Sequence, residues 1–142
     1  MTKTILLPID LDQQTSWQHA LPVATKIARD EGAQLHVLSV IPDYGMSVVG
    51  SFFPPEHAQQ ALAEAKKLLN KFVADHVSND LDVKTHVHFG SIYKEVLKVA
   101  NEIDCELIIM ASHRPESKDY LLGPNAARVV RHATQSVYVV RD

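Results

Sequence analysis

The chain has a single cysteine, Cys105, among 142 residues. That excludes an internal disulfide and a four-cysteine zinc site. Glycine is also sparse: Gly32, Gly45, Gly50, Gly90 and Gly123 form neither the G-x-G-x-x-G dinucleotide fingerprint nor the G-x-x-x-x-G-K-[ST] phosphate loop. Classical dehydrogenase and P-loop chemistry are therefore out. Positive charge is not in excess, and a formal net charge of -3 leaves no electrostatic footprint for non-specific binding of nucleic acid. No DNA or RNA partner is expected. Long apolar runs are missing as well: ILLPI, following Met-Thr-Lys-Thr, is far too short for a signal peptide or a membrane span. The expectation is a cytoplasmic protein with no membrane partner. No tandem repeat, linker or low-complexity tract interrupts the sequence.

What is present is ordinary globular composition, 46% hydrophobic and 22% charged, at a length that makes residues 1–142 one domain. Thr4 to Ile9 (TILLPI) reads as a buried strand ending at Asp10. From Thr15 onward Trp17, Ala20, Leu21, Ala24, Ile27 and Ala28 recur at helical spacing, with Thr15 or Ser16 available as N-cap and Gly32 as the stop. Gln34 to Val40 is a second strand. The irregular stretch IPDYGMSVVGSFFPP follows, whose Tyr44, Met46, Phe52 and Phe53 either cover a pocket or partner surface or pack beneath the loop. A long amphipathic helix is expected from Glu56 to about Val77. Leu81 to His88 alternates, with Asp82, Lys84, His86 and His88 on a wet face, the pattern of an edge strand. Gly90 and Ser91 open a further helix carrying Ile92, Val96, Val99, Ala100 and Ile103. The strand ELIIMAS, a helix around Asn125 to Ala133, and the strand SVYVVR complete the chain. Regular alternation of strands and helices implies a mainly parallel, doubly wound α/β sheet.

In such sheets ligands bind beyond the carboxyl ends of the strands, where strand order reverses. The polar ends of the two most continuously apolar strands, Pro8 to Asp10 and Ala111 to Arg114, are expected to be neighbours there. After Gly123 a helix begins, and its first amides have no internal acceptor, so a helix start facing a strand end forms an anion site. The pattern points to the phosphates of a nucleotide. Asp10 either caps the turn into the first helix or accepts hydrogen bonds from a ribose diol. Arg114 can add charge and Asn125 a donor towards the phosphates, although His113 with Arg114 also reads as a solvated loop.

Other constellations fail on spacing. A phosphate-accepting receiver domain shares the topology, and Asp10 with Asp12 resembles its first acidic corner. Its third-strand aspartate is replaced here by His88 and Phe89, and no lysine follows the start of the fifth strand. Ser112 and His113 are adjacent and cannot face each other as nucleophile and base. His86 and His88 have metal-like spacing, but no third ligand is evident and solvated imidazoles are the plainer reading. Cys105 reads as a small core residue.

The residues so assembled resemble the universal stress protein family over the whole chain, from ILLPID to SVYVVR. The strand ending Pro-x-Asp, the strand ending LSVIP, and MASHRP followed by LLGPNAARVVRHA are similar to its small bacterial ATP-binding branch. The resemblance implies a five-stranded parallel sheet in the order 3-2-1-4-5, Rossmann-like and of the adenine nucleotide alpha hydrolase type. It implies an adenine nucleotide (ATP, ADP or AMP, with Mg2+ compatible) and a stress-response role exerted through conformation or partner binding. It also implies a homodimer through the last strand at Val137 and Val139.

Carried over by position, Pro8, Ile9 and Asp10 would hold adenine and ribose, and Val40 would bracket adenine through its backbone. Met110 and Ala111 would form the floor, and His113, Arg114, Gly123, Pro124 and Asn125 would surround the phosphates. The family signature is G-x2-G-x9-G-[ST]. Here Ala111 and Arg114 replace its first two glycines and the loop is one residue shorter, departures shared with the small-protein branch. Pro124 replaces the final hydroxyl residue and removes an N–H as well. Each donor lost to a charged group is worth on the order of 1.5–3 kcal/mol, so AMP or ADP is expected to be held nearly as well as ATP. No catalytic base or carboxylate pair is placed for attack on a phosphate, and weak ATPase or self-phosphorylation is the most the resemblance permits. The alternative is a nucleotide-independent interaction module with a degraded phosphate site, and a third option is an enzyme acting on an adenylated substrate.

Overall fold

The computed structural model describes residues 2–42, 55–112 and 123–141. Five strands, β1 (Thr4–Ile9), β2 (Gln34–Pro42), β3 (Val83–Gly90), β4 (Leu107–Ala111) and β5 (Ser136–Val140), form one sheet in the order β3-β2-β1-β4-β5. Every pairing is parallel. Parallel neighbours need crossovers, supplied here by helices α1 (Ala20–Glu31), α2 (Pro55–His76), α3 (Ile92–Glu102) and α4 (Gly123–His132).

Strand alternation separates two cores. Ile5, Leu7, Ile9, Leu35, Val37, Ile109 and Ala111 pack with the apolar stripes of α1 and α2, whereas Leu6, Leu38, Ile108 and Met110 meet Val96, Val99, Ala126 and Val129 of α3 and α4. Because β1 and β4 are sandwiched between these layers, both their faces are apolar and no period-two pattern shows in their sequences. Strand β3 is an edge, as its alternation requires.

Helix ends follow local chemistry in some places and depart from it in others. Gly32 stops α1 in the left-handed region, φ 64°, and the Ala33 amide returns to the Ala28 carbonyl at 2.9 Å, the closure expected of a glycine stop. The start of α1 differs from the sequence expectation: a 3-10 turn occupies Gln14–Ser16, and the α-helix begins at Ala20 without a side-chain cap. Neither Thr15 nor Ser16 acts as N-cap, because the Ser16 hydroxyl is committed to the preceding loop. Helix α4 starts earlier than expected, so that Gly123 and Pro124 form its first turn. Proline is tolerated there because first-turn amides lack an internal partner.

Candidate functional site

The crevice at the switch point begins with a defect in strand pairing. Strands β1 and β4 are in register only at Ile5–Leu107 and Leu6–Ile108, although β1 runs on to Ile9 and β4 to Ala111. Pro8 has no N–H to give a ladder. On its other side β1 stays paired with β2 as far as Ile9–Ser39, and β4 stays paired with β5 along its whole length. The sheet is therefore split at its carboxyl end between β1 and β4. Polar backbone of Leu7–Ile9 and Ile109–Ala111 borders the split, and satisfying such groups is what a bound planar base can do.

Asp10 closes β1 and enters a tightly bound loop. The Ser16 hydroxyl, fully buried, accepts the Asp10 amide at 2.8 Å and lies 2.8 Å from the Asp10 carbonyl and 2.7 Å from that of Gln13. Its single proton serves one carbonyl at a time. Asp10 Oδ1 accepts the Asp12 amide at 3.0 Å, and the Gln13 amide reaches the Asp10 carbonyl at 3.0 Å. One carboxylate oxygen thus performs the turn-capping role that the sequence left open, and the loop is held from four sides. Trp17 follows directly, its ring 4.9 Å from Phe72 and 5.0 Å from His76 of α2. These contacts fix the loop to the α2 layer.

The other expected site residues fall around this split to different degrees. Val40 lies one residue past Ser39, the last partner of β1, and keeps only its β3 partner, His88. Its position is therefore beyond the end of β1, at the mouth of the split. Met110 and Ala111 are buried at the end of β4. Ala126 of α4 packs in the same core as Met110, and Ser112, Ala126 and Ala127 share a groove of about 460 Å3 with Val139 and Arg141. The first turns of α4 thereby run beside the end of β4, and the buried side chain of Asn125 belongs to that turn. Gly123 and Pro124 are placed in the same turn through their backbone. His113 and Arg114, and the stretch from Tyr44 to Phe53, lie outside the described residues. A groove of about 610 Å3, bordered by Asn70, Val77, Leu81 and Val83, lies at the opposite end of β3 and has no part in the crevice.

Two expectations for the remaining titratable groups need revision or gain support. His86 is not a solvated imidazole: it is half-buried and its Nε2 lies 2.8 Å from Nδ1 of the buried His36. Nor is His88 simply in water, since its Nδ1 lies 2.9 Å from Glu95 Oε1. Alternation alone predicts a wet face, because the sequence does not reveal that α3 lies over it. Among the described residues no group of three metal-ligating side chains is assembled. Cys105 is buried, and desolvation with the neighbouring Glu106 pushes its thiol up to about 11, far from a reactive thiolate.

The residues missed by sequence reasoning are Ser16 and His36. A small hydroxyl six residues past a strand-end aspartate is a weak signal, and a histidine within an apolar strand carries none. No helix among the described residues is long and apolar enough to cross a membrane.

Comparison with known proteins agrees with this architecture. Universal stress protein G of Escherichia coli O157:H7 is 33% identical, over 99% of this chain and all of its own. The corresponding protein of Salmonella typhimurium is 34% identical over the same shares. Among solved structures, universal stress protein UspA from Lactobacillus plantarum superposes with a TM-score of 0.69 at 25% identity, covering 98% of this chain and 97% of its own. Two more distant structures share the fold: a universal stress protein in complex with cAMP (TM-score 0.62, 20% identity, 99% and 97% covered) and one from Archaeoglobus fulgidus in complex with dAMP (TM-score 0.59, 17% identity, 98% and 97% covered). The profile of the universal stress protein family matches residues 1–141, and with the 3-2-1-4-5 sheet already described this chain belongs to that family.

Proposed function

We propose that this protein binds an adenine nucleotide in the split between β1 and β4 and acts through the conformation or partner binding that the nucleotide controls. The observation that carries the reading is the parting of the two strands beyond Leu6 and Ile108, with Asp10 fixed at its edge. Adenine sits against Pro8, Ile9 and the backbone of Val40, above Met110 and Ala111. The ribose diol donates to the Asp10 carboxylate, whose loop is already ordered and so loses little entropy on binding. The phosphates run towards His113, Arg114 and the first turn of α4, at Gly123, Pro124 and Asn125.

Family neighbours in complex with cAMP and with dAMP support adenosine monophosphate chemistry as the shared core of recognition. Pro124 gives no N–H to a longer phosphate chain, so ATP gains little over AMP. Binding rather than turnover is the function proposed, with the protein cytoplasmic and paired as a homodimer through β5 at Val137 and Val139. The lack of a donor at Pro124 also favours a second reading, an interaction module that has lost its nucleotide.

Calorimetric titration of nucleotide-stripped protein with ATP, ADP and AMP, with and without Mg2+, separates the two. Binding of all three with similar affinity is the expected result. Binding of none of them would leave the interaction module.

A further inference from the structure

A chain of hydrogen bonds runs across the β2–β3 edge, and its direction can be deduced. Gln34 Nε2 donates to Asp82 Oδ2 at 2.6 Å, because a carboxylate only accepts. The amide oxygen of Gln34 is then the acceptor that lies 2.9 Å from His36 Nε2, so His36 carries its proton on Nε2. Its Nδ1 is left as an acceptor, and the 2.8 Å contact with His86 Nε2 requires the proton to sit on His86. When both imidazoles are neutral, both are therefore Nε2–H tautomers, fixed by the carboxylate at the far end. The strand register permits the contact, since His36 lies opposite Lys84 and His86 opposite Leu38, making the two histidines diagonal neighbours on the face covered by α3.

This pair takes up one proton without damage, by reversing the bond between the rings. A second proton leaves two cations with donors facing each other at contact distance, in a site where His36 is 8% exposed. The surrounding charges do not offset that. Lys66 from α2 and Lys84 and His88 from β3 oppose further positive charge, and Glu102 from α3 and Asp82 from β3 are the acids that favour it. Burial first, then the neighbouring His36, hold His86 down to about 4, and burial also lowers His36. An edge strand gains the most from water when its side chains ionise, because it has one strand neighbour to leave.

We propose that the Asp82–Gln34–His36–His86 chain is an acid-operated latch that holds the β3 edge closed while the histidines are neutral and releases it when both are charged. The sign follows from linkage. The open state binds both protons near the ordinary histidine value of about 6.5, the closed pair its second only well below it, so opening is favoured as pH falls from about 6.5 towards about 4. His88 is tied to Glu95 of α3, so release is centred on Val83–Val87, with the Gly90 end still held.

The test uses the nucleotide-free protein and so does not depend on the proposed ligand. Imidazole nitrogen NMR at about pH 7 is expected to show neutral Nε2–H tautomers for His36 and His86, with His86 titrating well below the ordinary range. Amide exchange, corrected for the intrinsic pH effect, is expected to accelerate at least about tenfold for Val83–Val87 between about pH 7 and about pH 4.5, since the second protonation contributes up to tenfold per pH unit. Amides of β1 and β4 are expected to keep their protection. The variant His86→Gln keeps a donor, can turn its oxygen to accept, and cannot charge, so its β3 exchange is expected to change less than about threefold. An Nδ1–H tautomer or ordinary titration of His86 overturns the proposal. So does unchanged β3 exchange, a loss shared by β1 and β4, or an H86Q variant that opens as much as the parent. If that variant fails to fold, the NMR titration of the parent decides alone.

Discussion

Replacing Ser16 by Ala tests how the loop that carries Asp10 is held. The hydroxyl is fully buried and accepts the Asp10 amide while donating to the carbonyl of Asp10 or of Gln13. Its removal deletes the acceptor of the Asp10 N–H, at a cost of about 1–3 kcal/mol, and a donated bond worth about 0.5–1.5 kcal/mol. The Asp10 carbonyl keeps the Gln13 amide, so no second orphan is created. A loss of about 2–3 kcal/mol follows. With a urea m-value of about 1–3 kcal/mol per M for a domain of this size, the midpoint falls by roughly 1 M. Trp17, the one tryptophan in the sequence and the next residue along, serves as the fluorescence probe. Thr25→Ala is the control, because that hydroxyl is exposed and bonds only within its own helix; it should shift stability by no more than about 0.5 kcal/mol. If S16A lost less than about 1 kcal/mol, or no more than T25A, the hydroxyl would not be what orders the loop.

Asp10→Ala should weaken adenosine and AMP by at least about tenfold while leaving inorganic phosphate within about twofold, the pattern that the proposed ribose contact requires; equal losses in calorimetry would remove that assignment. Pro124→Ser restores a hydroxyl and an N–H, and should shift preference towards ATP over AMP by about tenfold or more; an unchanged ratio would mean the phosphates do not reach that turn. Leu38→Ala, at a side chain with no exposed surface, should cost about 2–5 kcal/mol in urea unfolding, and a smaller loss would mean the α3–α4 core collapses onto the gap. Cys105, with its thiol raised to about 11, should resist alkylation near neutral pH in the folded protein and react once urea is added; labelling at the rate of a free thiol would contradict its burial.

Much of this fold is written in local pattern. The apolar runs ILLPI and LIIMA mark the two strands buried on both faces, alternation in Val83–His88 marks an edge, and Gly32 marks a helix end by its positive φ. Each is a property of neighbouring residues and the backbone they favour. The candidate site was half legible for the same reason. A strand ending in Pro-x-Asp exposes a carboxylate wherever the strand lies, so Asp10 and Pro8 stand out in the sequence. That Ser16 clamps the loop rather than capping a helix depended on where the chain turns after Asp10, because a hydroxyl has one proton and bonds whichever backbone groups reach it first.

The sequence by itself therefore determined the alternating α/β plan, the elements that are buried, and the strand ends that border the candidate crevice. Tertiary structure alone decided that β1 and β4 part after Leu6 and Ile108, and that His36 and His86, fifty residues apart, share a proton-bearing contact. Both depend on register between strands that are distant in the chain. Register is set by how two apolar faces pack together over many residues, so no short stretch of sequence contains it.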